Sequence, residues 1–110
     1  MQLLTKELLK QFEKQGDTSE KSIDEITVIA KFFNPMGAGT WYLYEYNPED
    51  RIFMGFANLG DPVMAELGSV SLDELESLKL PFGMGIERDR YFQPMPLRKV
   101  VDTVKAGGHI

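Results

Sequence analysis

The sequence predicts an α+β fold, in which an antiparallel sheet of about four strands packs with three short helices in a single domain spanning residues 1–110. The middle of the chain alternates apolar and polar residues with the period of two that is typical of strands. The segments on either side carry helix-capping residues and helical apolar spacing. The connections between the strands are too short for the crossovers that parallel strands need.

The first helix is predicted to start after Thr5, whose hydroxyl suits an N-cap, and to end at the polar run before Gly16. Leu4 and Leu9 have the spacing of a hydrophobic staple around that cap. Residues 16–25 are polar and rich in turn formers, so we predict a mobile loop there.

Four strands follow. In residues 26–33 the side chains alternate with the period of a strand, and Asn34-Pro35 ends this first strand. Residues 40–46, which are rich in aromatic residues, form the second strand. Its alternation predicts one face made of Trp41, Leu43 and Glu45 and another made of Tyr42, Tyr44 and Tyr46. A turn at residues 47–50 leads to a third strand at 51–58, and residues 63–70 predict a fourth, weaker strand.

The second helix begins at a capping box, because Ser71 is followed three residues later by Glu74. Its buried stripe is predicted to be Leu72, Leu75 and Leu78. Residues 86–92 are predicted to form an extended edge segment. A last helix follows Pro96, and residues 106–110 form a flexible C-terminal tail.

Composition limits the classes of function. The chain has 17 acidic and 12 basic residues and a net charge of -5, which disfavours binding to nucleic acid and to anionic membranes. It has no cysteine, which excludes disulfides and thiolate sites, and no apolar run long enough to span a bilayer. We therefore expect a cytoplasmic protein without a cofactor.

The densest charge cluster is Glu87, Arg88, Asp89 and Arg90, followed by Tyr91. In an extended segment Glu87 and Asp89 share a face, where two carboxylates could hold Mg²⁺ or act as an acid and a base. The commoner interpretation is a charged edge strand that resists aggregation. His109 lies in the predicted tail, and no catalytic residue or metal ligand is assigned.

Tyr42, Tyr44 and Tyr46 form a stripe that could stack bases, but residues 26–66 are too acidic for a nucleic-acid groove. A partly buried sheet face and a protein-binding patch both remain open for this stripe.

Several segments together resemble the bacterial family of domain of unknown function 2958 (DUF2958): LLTKELL, AKFF, TWY, LGSVSLDELESL and IERDRYFQPMPL. The resemblance covers nearly the whole chain. It implies a small accessory protein of plasmids, conjugative elements and phages, found in the company of anti-restriction genes, and it carries over no catalytic residue.

The leading hypothesis is a small acidic accessory protein of a mobile genetic element that acts by protein–protein binding. Its most specific form is an anti-restriction or anti-CRISPR-like inhibitor of a host defence complex. The alternative is a metal-assisted phosphoester-processing enzyme that uses Glu87 and Asp89, and a second alternative is a nucleic-acid-binding regulator. The sequence leaves the oligomeric state open.

Overall fold

The structure, a computed structural model, describes residues 2–110. Its helices are α1 (Lys6–Gln15), α2 (Leu72–Ser77) and α3 (Leu97–Lys105). Its strands are β1 (Thr27–Val28), β2 (Ala30–Phe33), β3 (Thr40–Asn47), β4 (Ile52–Asn58), β5 (Glu66–Ser71), β6 (Glu87–Arg88) and β7 (Met95–Pro96).

All the strand pairs found in this range are antiparallel. Five strands form one sheet in the order β5-β4-β3-β2-β6, and β1 pairs with β7 as a separate two-stranded sheet. The α+β class is confirmed, and the main sheet has one strand more than the roughly four predicted, because the short β6 joins its edge.

The predicted helix starts are confirmed. The Thr5 hydroxyl accepts the backbone N–H of Leu8 at 3.2 Å, and the Ser71 hydroxyl accepts that of Glu74 at 3.1 Å. Leu78 was predicted to lie in the buried stripe of α2, but it is 45% exposed. The prediction is wrong because α2 ends at Ser77 and the backbone of Leu78 is extended, so its side chain leaves the helix face.

The predicted first strand is divided in two, at the point where β3 is irregular. Pairing of β2 with β3 stops at Ala30 and Leu43, and the register of β3 with β4 shifts between Leu43 and Glu45. This β-bulge adds a residue to β3 and changes the direction of the side chains after it. Beyond the break, β1 pairs with β7 instead.

The carboxamide of Gln15, the last residue of α1, bridges this break. It accepts the backbone N–H of Thr27 at 2.9 Å and donates to the carbonyl oxygens of Thr27 and Tyr44. The end of a helix thus satisfies backbone groups near the point where the ladder is interrupted.

The fourth strand starts later than predicted. Residues Pro62–Met64 form a single turn of 3-10 helix, and Asp61 caps it by accepting the backbone N–H of Val63 at 3.0 Å. An Asp cap with a proline at the first helical position favours a helical turn over a strand. The chain becomes extended only from Glu66.

Both faces of the sheet are covered. On one face α1 and α2 contribute to a first core cluster, whose buried members are Leu3, Phe12, Ile29, Ala30, Phe32, Leu43, Phe53, Leu72, Leu75 and Ile86. On the other face α3 contributes to a second cluster of Ile26, Val28, Tyr42, Tyr44, Phe56, Ala65, Leu97, Val100 and Val104.

The two segments predicted to be mobile both make contacts. The N–H and hydroxyl of Thr18 donate to Glu45 Oε1 at 2.7 and 2.6 Å. The backbone oxygen of Ile110 accepts a hydrogen bond from Lys31 Nζ at 2.6 Å. The motion of residues 16–25 and 106–110 remains a prediction.

None of the helices in the described part of the chain combines the length and the apolar character needed to span a bilayer.

Candidate functional site

The charged cluster begins at one edge of the main sheet, as the sequence predicts. The extended segment predicted for residues 86–92 is wrong beyond Arg88, because the chain turns there and the N–H of Phe92 donates to the carbonyl of Asp89 at 3.3 Å.

Glu87 and Arg88 form β6, where they pair with Phe33 and Phe32 of β2. Successive side chains of a strand point to opposite faces, and each shares its face with the residue directly paired with it. Glu87 therefore shares a face with Phe33, and Arg88 shares the other face with Phe32. Ile86, which precedes them, is buried in the first core cluster and anchors the edge.

Arg88 has a structural partner. Its guanidinium donates to the carbonyl oxygens of Gln2 and Leu3, the latter at 3.2 Å. These bonds join the segment before α1 to the sheet edge. Arg88 therefore stabilises the fold by holding this segment at the sheet edge.

Asp89 is held by Lys31. The two charged groups are 3.5 Å apart, and the backbone N–H of Asp89 donates to the carbonyl of Lys31 at 2.9 Å. Its Oδ1 also accepts the N–H of Tyr91 at 2.9 Å. The Lys31 ammonium group thus lies beside one of the two carboxylates proposed to bind Mg²⁺. Residues 2–110 contain no group of three or more His, Cys, Asp or Glu side chains placed to hold a metal ion.

The cluster lines a shallow cleft of about 450 Å³ together with Lys31 and Phe33. Within it Arg90 and Tyr91 are exposed, and the Tyr91 side chain is 91% exposed. All five predicted residues, Glu87 to Tyr91, are therefore brought together at this edge.

The three tyrosines of β3 do not form one stripe. Tyr42 and Tyr44 are buried in the second core cluster, whereas Tyr46 packs on the opposite face, with ring centroids 4.7 Å from Phe53 and 6.2 Å from Phe12. The predicted alternation holds through Tyr44 and is wrong from Glu45 onward, because the bulge shifts the register by one residue and reverses the later side chains.

The environment of these tyrosines keeps them neutral. Burial raises the pKa of Tyr42, and the Asp89 carboxylate raises it further. Burial also raises the pKa of Tyr44, with an added contribution from Glu45. Neither phenol loses its proton near neutral pH, and both rings are covered in this conformation.

A second surface, which the sequence did not predict, lies on the connection between β4 and β5 and on β5 itself. Four large apolar side chains are exposed there: Leu59 (67%), Val63 (75%), Met64 (73%) and Leu67 (48%). We call these four residues the β5 patch. Three of them flank or belong to the 3-10 turn, and Leu67 lies on β5 itself.

The signal for this patch was present at Asp61-Pro62. A capped helical turn at this dipeptide turns Val63 and Met64 outward, while Ala65 takes the buried position at 3% exposure. The strand predicted for residues 63–70 is wrong for its first three residues, so the outward direction of Val63 and Met64 was not predicted.

The chain segment that carries the β5 patch is acidic. From residue 52 to residue 78 the chain contains five acidic residues and no lysine or arginine, the five being Asp61, Glu66, Asp73, Glu74 and Glu76. Arg51, just before this stretch, pairs with Asp73 at 2.7 Å and with Glu76 at 2.9 Å.

The family described as Protein of unknown function (DUF2958) matches residues 3–110. The chain belongs to this family. No curated protein and no solved structure matches this chain. Both edges of the sheet lie within the matched region, so the charged cluster and the β5 patch are parts of the DUF2958 domain.

Proposed function

We propose that this DUF2958 protein acts by binding another protein through the β5 patch and the acidic surface around it. The observation that carries the proposal is the exposure of four large apolar side chains within nine residues of the chain, Leu59, Val63, Met64 and Leu67. Clustered exposed apolar side chains mark interaction surfaces, whereas isolated ones are ordinary.

The chemistry of the patch supports the proposal in two ways. Covering exposed apolar surface contributes about 25 cal/mol per Å² removed from water. The net charge of -5 attracts a basic partner over longer distances and repels acidic ones.

The biological setting that we propose is a mobile genetic element, where the protein would inhibit a host defence complex. An acidic surface of this kind would compete with nucleic acid for a basic groove of such a complex. This setting is supported by the likeness of the sequence motifs to DUF2958 and by the net charge of -5.

Affinity capture from a bacterial lysate tests the binding function. The wild-type chain is compared with the double variant Val63→Ser, Met64→Ser and with a control double variant, Leu78→Ser, Phe82→Ser. The control also removes two exposed apolar side chains, of 45% and 92% exposure, but from a different part of the surface.

We expect the wild type and the control to capture the same specific protein and the patch variant to lose it. Raising the salt concentration should weaken the capture because charges are screened. Capture of no specific protein at either low or high salt would contradict the proposal, as would equal capture by all three chains.

A further inference from the structure

We infer that β5 itself binds the partner, by adding an extended segment of that protein to the open edge of the sheet, and that this segment carries Lys or Arg at its ends. The inference rests on the proposed function and adds the mode of binding and the chemistry of the partner. Strand addition is an established way for an exposed sheet edge to bind a peptide.

The direction of the backbone groups of β5 follows from one hydrogen bond. The N–H of Leu72 donates to the carbonyl of Arg51 at 3.0 Å, in the same register that pairs β5 with β4. Hydrogen-bonded and non-hydrogen-bonded pairs alternate along an antiparallel ladder. Gly68 and Val70 therefore bond to β4, whereas the N–H and C=O groups of Leu67 and Ser69 and the N–H group of Ser71 point away from the sheet.

The two edges of the sheet are protected differently. The edge formed by β6 is only two residues long and is followed by charged residues and by Pro94, features that blunt an edge against pairing. The edge formed by β5 is six residues long, lacks Lys, Pro and any register shift with β4, and has Glu66 as its only charge. It is therefore the edge that is open to another strand.

The acidic residues at the two ends of β5 favour a basic segment over a second copy of this chain as the added strand. A second copy of this chain, paired antiparallel about Ser69, would bring Glu66 to the end of the copy's β5, where α2 begins with Asp73 and Glu74. Like charges placed together destabilise such a pair. A segment with basic ends meets the same positions with opposite charges, and an apolar side chain next to one of those ends would cover Leu67, which is 48% exposed.

Selection from a random twelve-residue peptide library, displayed on phage, tests this inference with the full chain as the target. The diagnostic variant is Ser69→Pro, which removes one outward N–H and leaves the bonds to β4 intact. The matched control is Ser69→Thr, which keeps that N–H. Thermal unfolding of each chain verifies that it is folded.

We expect selected peptides with alternating apolar residues and basic ends. They should bind the wild type and the Thr variant alike, and the Pro variant at least ~10-fold more weakly. Amide exchange at Leu67, Ser69 and Ser71 should slow by at least ~10-fold in the complex.

If the Pro variant does not fold, Leu67→Lys replaces it, with Leu78→Lys as its control. A lysine on the edge should repel basic peptides, while the same change after α2 should leave their binding unchanged. Peptides that bind the edge variant and its control equally would overturn strand addition but leave the protein-binding function standing. A selection that yields no peptide would likewise overturn the strand-addition mode, while lysate capture decides the binding function separately.

Discussion

At the residue scale, Gly55 shows how closely the strands and side chains pack at the centre of the sheet. A methyl group at this position would lie 2.6 Å from Leu43 Cδ2 and 2.8 Å from the carbonyl oxygen of Tyr42. Gly68, its direct partner on β5, has no such neighbour within 4 Å.

We predict that Gly55→Ala lowers the free energy of unfolding by about 1–3 kcal/mol, because the core must shift to accept the methyl group. Gly68→Ala should change it by less than about 0.5 kcal/mol. Urea denaturation of the two variants measures the difference. Equal effects of the two substitutions would contradict the packing described for Gly55.

Thr18 is the buried polar residue of the described core, at 6% exposure, and both its donors are directed at one Glu45 oxygen. Thr18→Val keeps the shape of the side chain and removes the hydroxyl bond to a carboxylate. Because bonds to charged groups are stronger than neutral ones, we predict a loss of about 1.5–3 kcal/mol in the free energy of unfolding.

The control for Thr18 is Ser22→Ala, which removes an exposed hydroxyl bonded to Glu25 at 3.0 Å in the same loop. Its effect should stay within about 0.5 kcal/mol. Thermal or urea unfolding provides both values, and a Thr18 effect no larger than the Ser22 effect would show that Glu45 does not anchor this loop.

At the element scale, the bulge in β3 determines which face of the sheet the later side chains occupy and where the ladder breaks. It moves Glu45 to the face of Tyr44, and it interrupts the ladder where the Gln15 carboxamide bonds to Thr27 and Tyr44. We predict that Gln15→Ala lowers the free energy of unfolding by about 0.5–1.5 kcal/mol, because it removes the hydrogen bond to the part-buried carbonyl of Tyr44, whereas water can replace the bonds to the exposed Thr27.

Gln11→Ala, on the exposed surface of the same helix, should have no effect or stabilise slightly, because alanine has the higher helix propensity. Chemical denaturation compares the two variants. A neutral Gln15→Ala would mean that water replaces the carboxamide at the break.

The elements that the sequence predicts correctly are those determined by local chemistry. Thr5 and Ser71 cap their helices because each hydroxyl needs only the backbone three residues ahead. The bulge at β3 depends instead on tertiary contacts, and no local pattern marks it. Alternation alone therefore placed Tyr46 on the wrong face.

Of the two candidate surfaces, the sequence predicts one and not the other. The charged edge could be predicted because four adjacent charged residues are visible in the sequence, although the partners of Arg88 and Asp89 come from distant segments. The β5 patch could not be predicted, since exposure of Val63 and Met64 depends on where the chain changes from a 3-10 turn to a strand.

At the scale of the whole molecule, the sheet has two unlike edges. One is short, charged and tied to the segment before α1, whereas the other is longer, has a single charge and lies beside exposed apolar side chains. Both faces of the sheet are covered by helices, so the open edge at β5 is where further main-chain pairing could take place.

The central claim is that the β5 edge is open in the free protein and available to a partner. Residue-resolved amide exchange of the free chain, measured by NMR at two protein concentrations, tests it most directly. We predict fast exchange at Leu67, Ser69 and Ser71 and slow exchange at Gly68 and Val70, with no dependence on concentration. Slow exchange at the three outward amides, or protection that grows with concentration, would show that the edge is already covered and would contradict the claim.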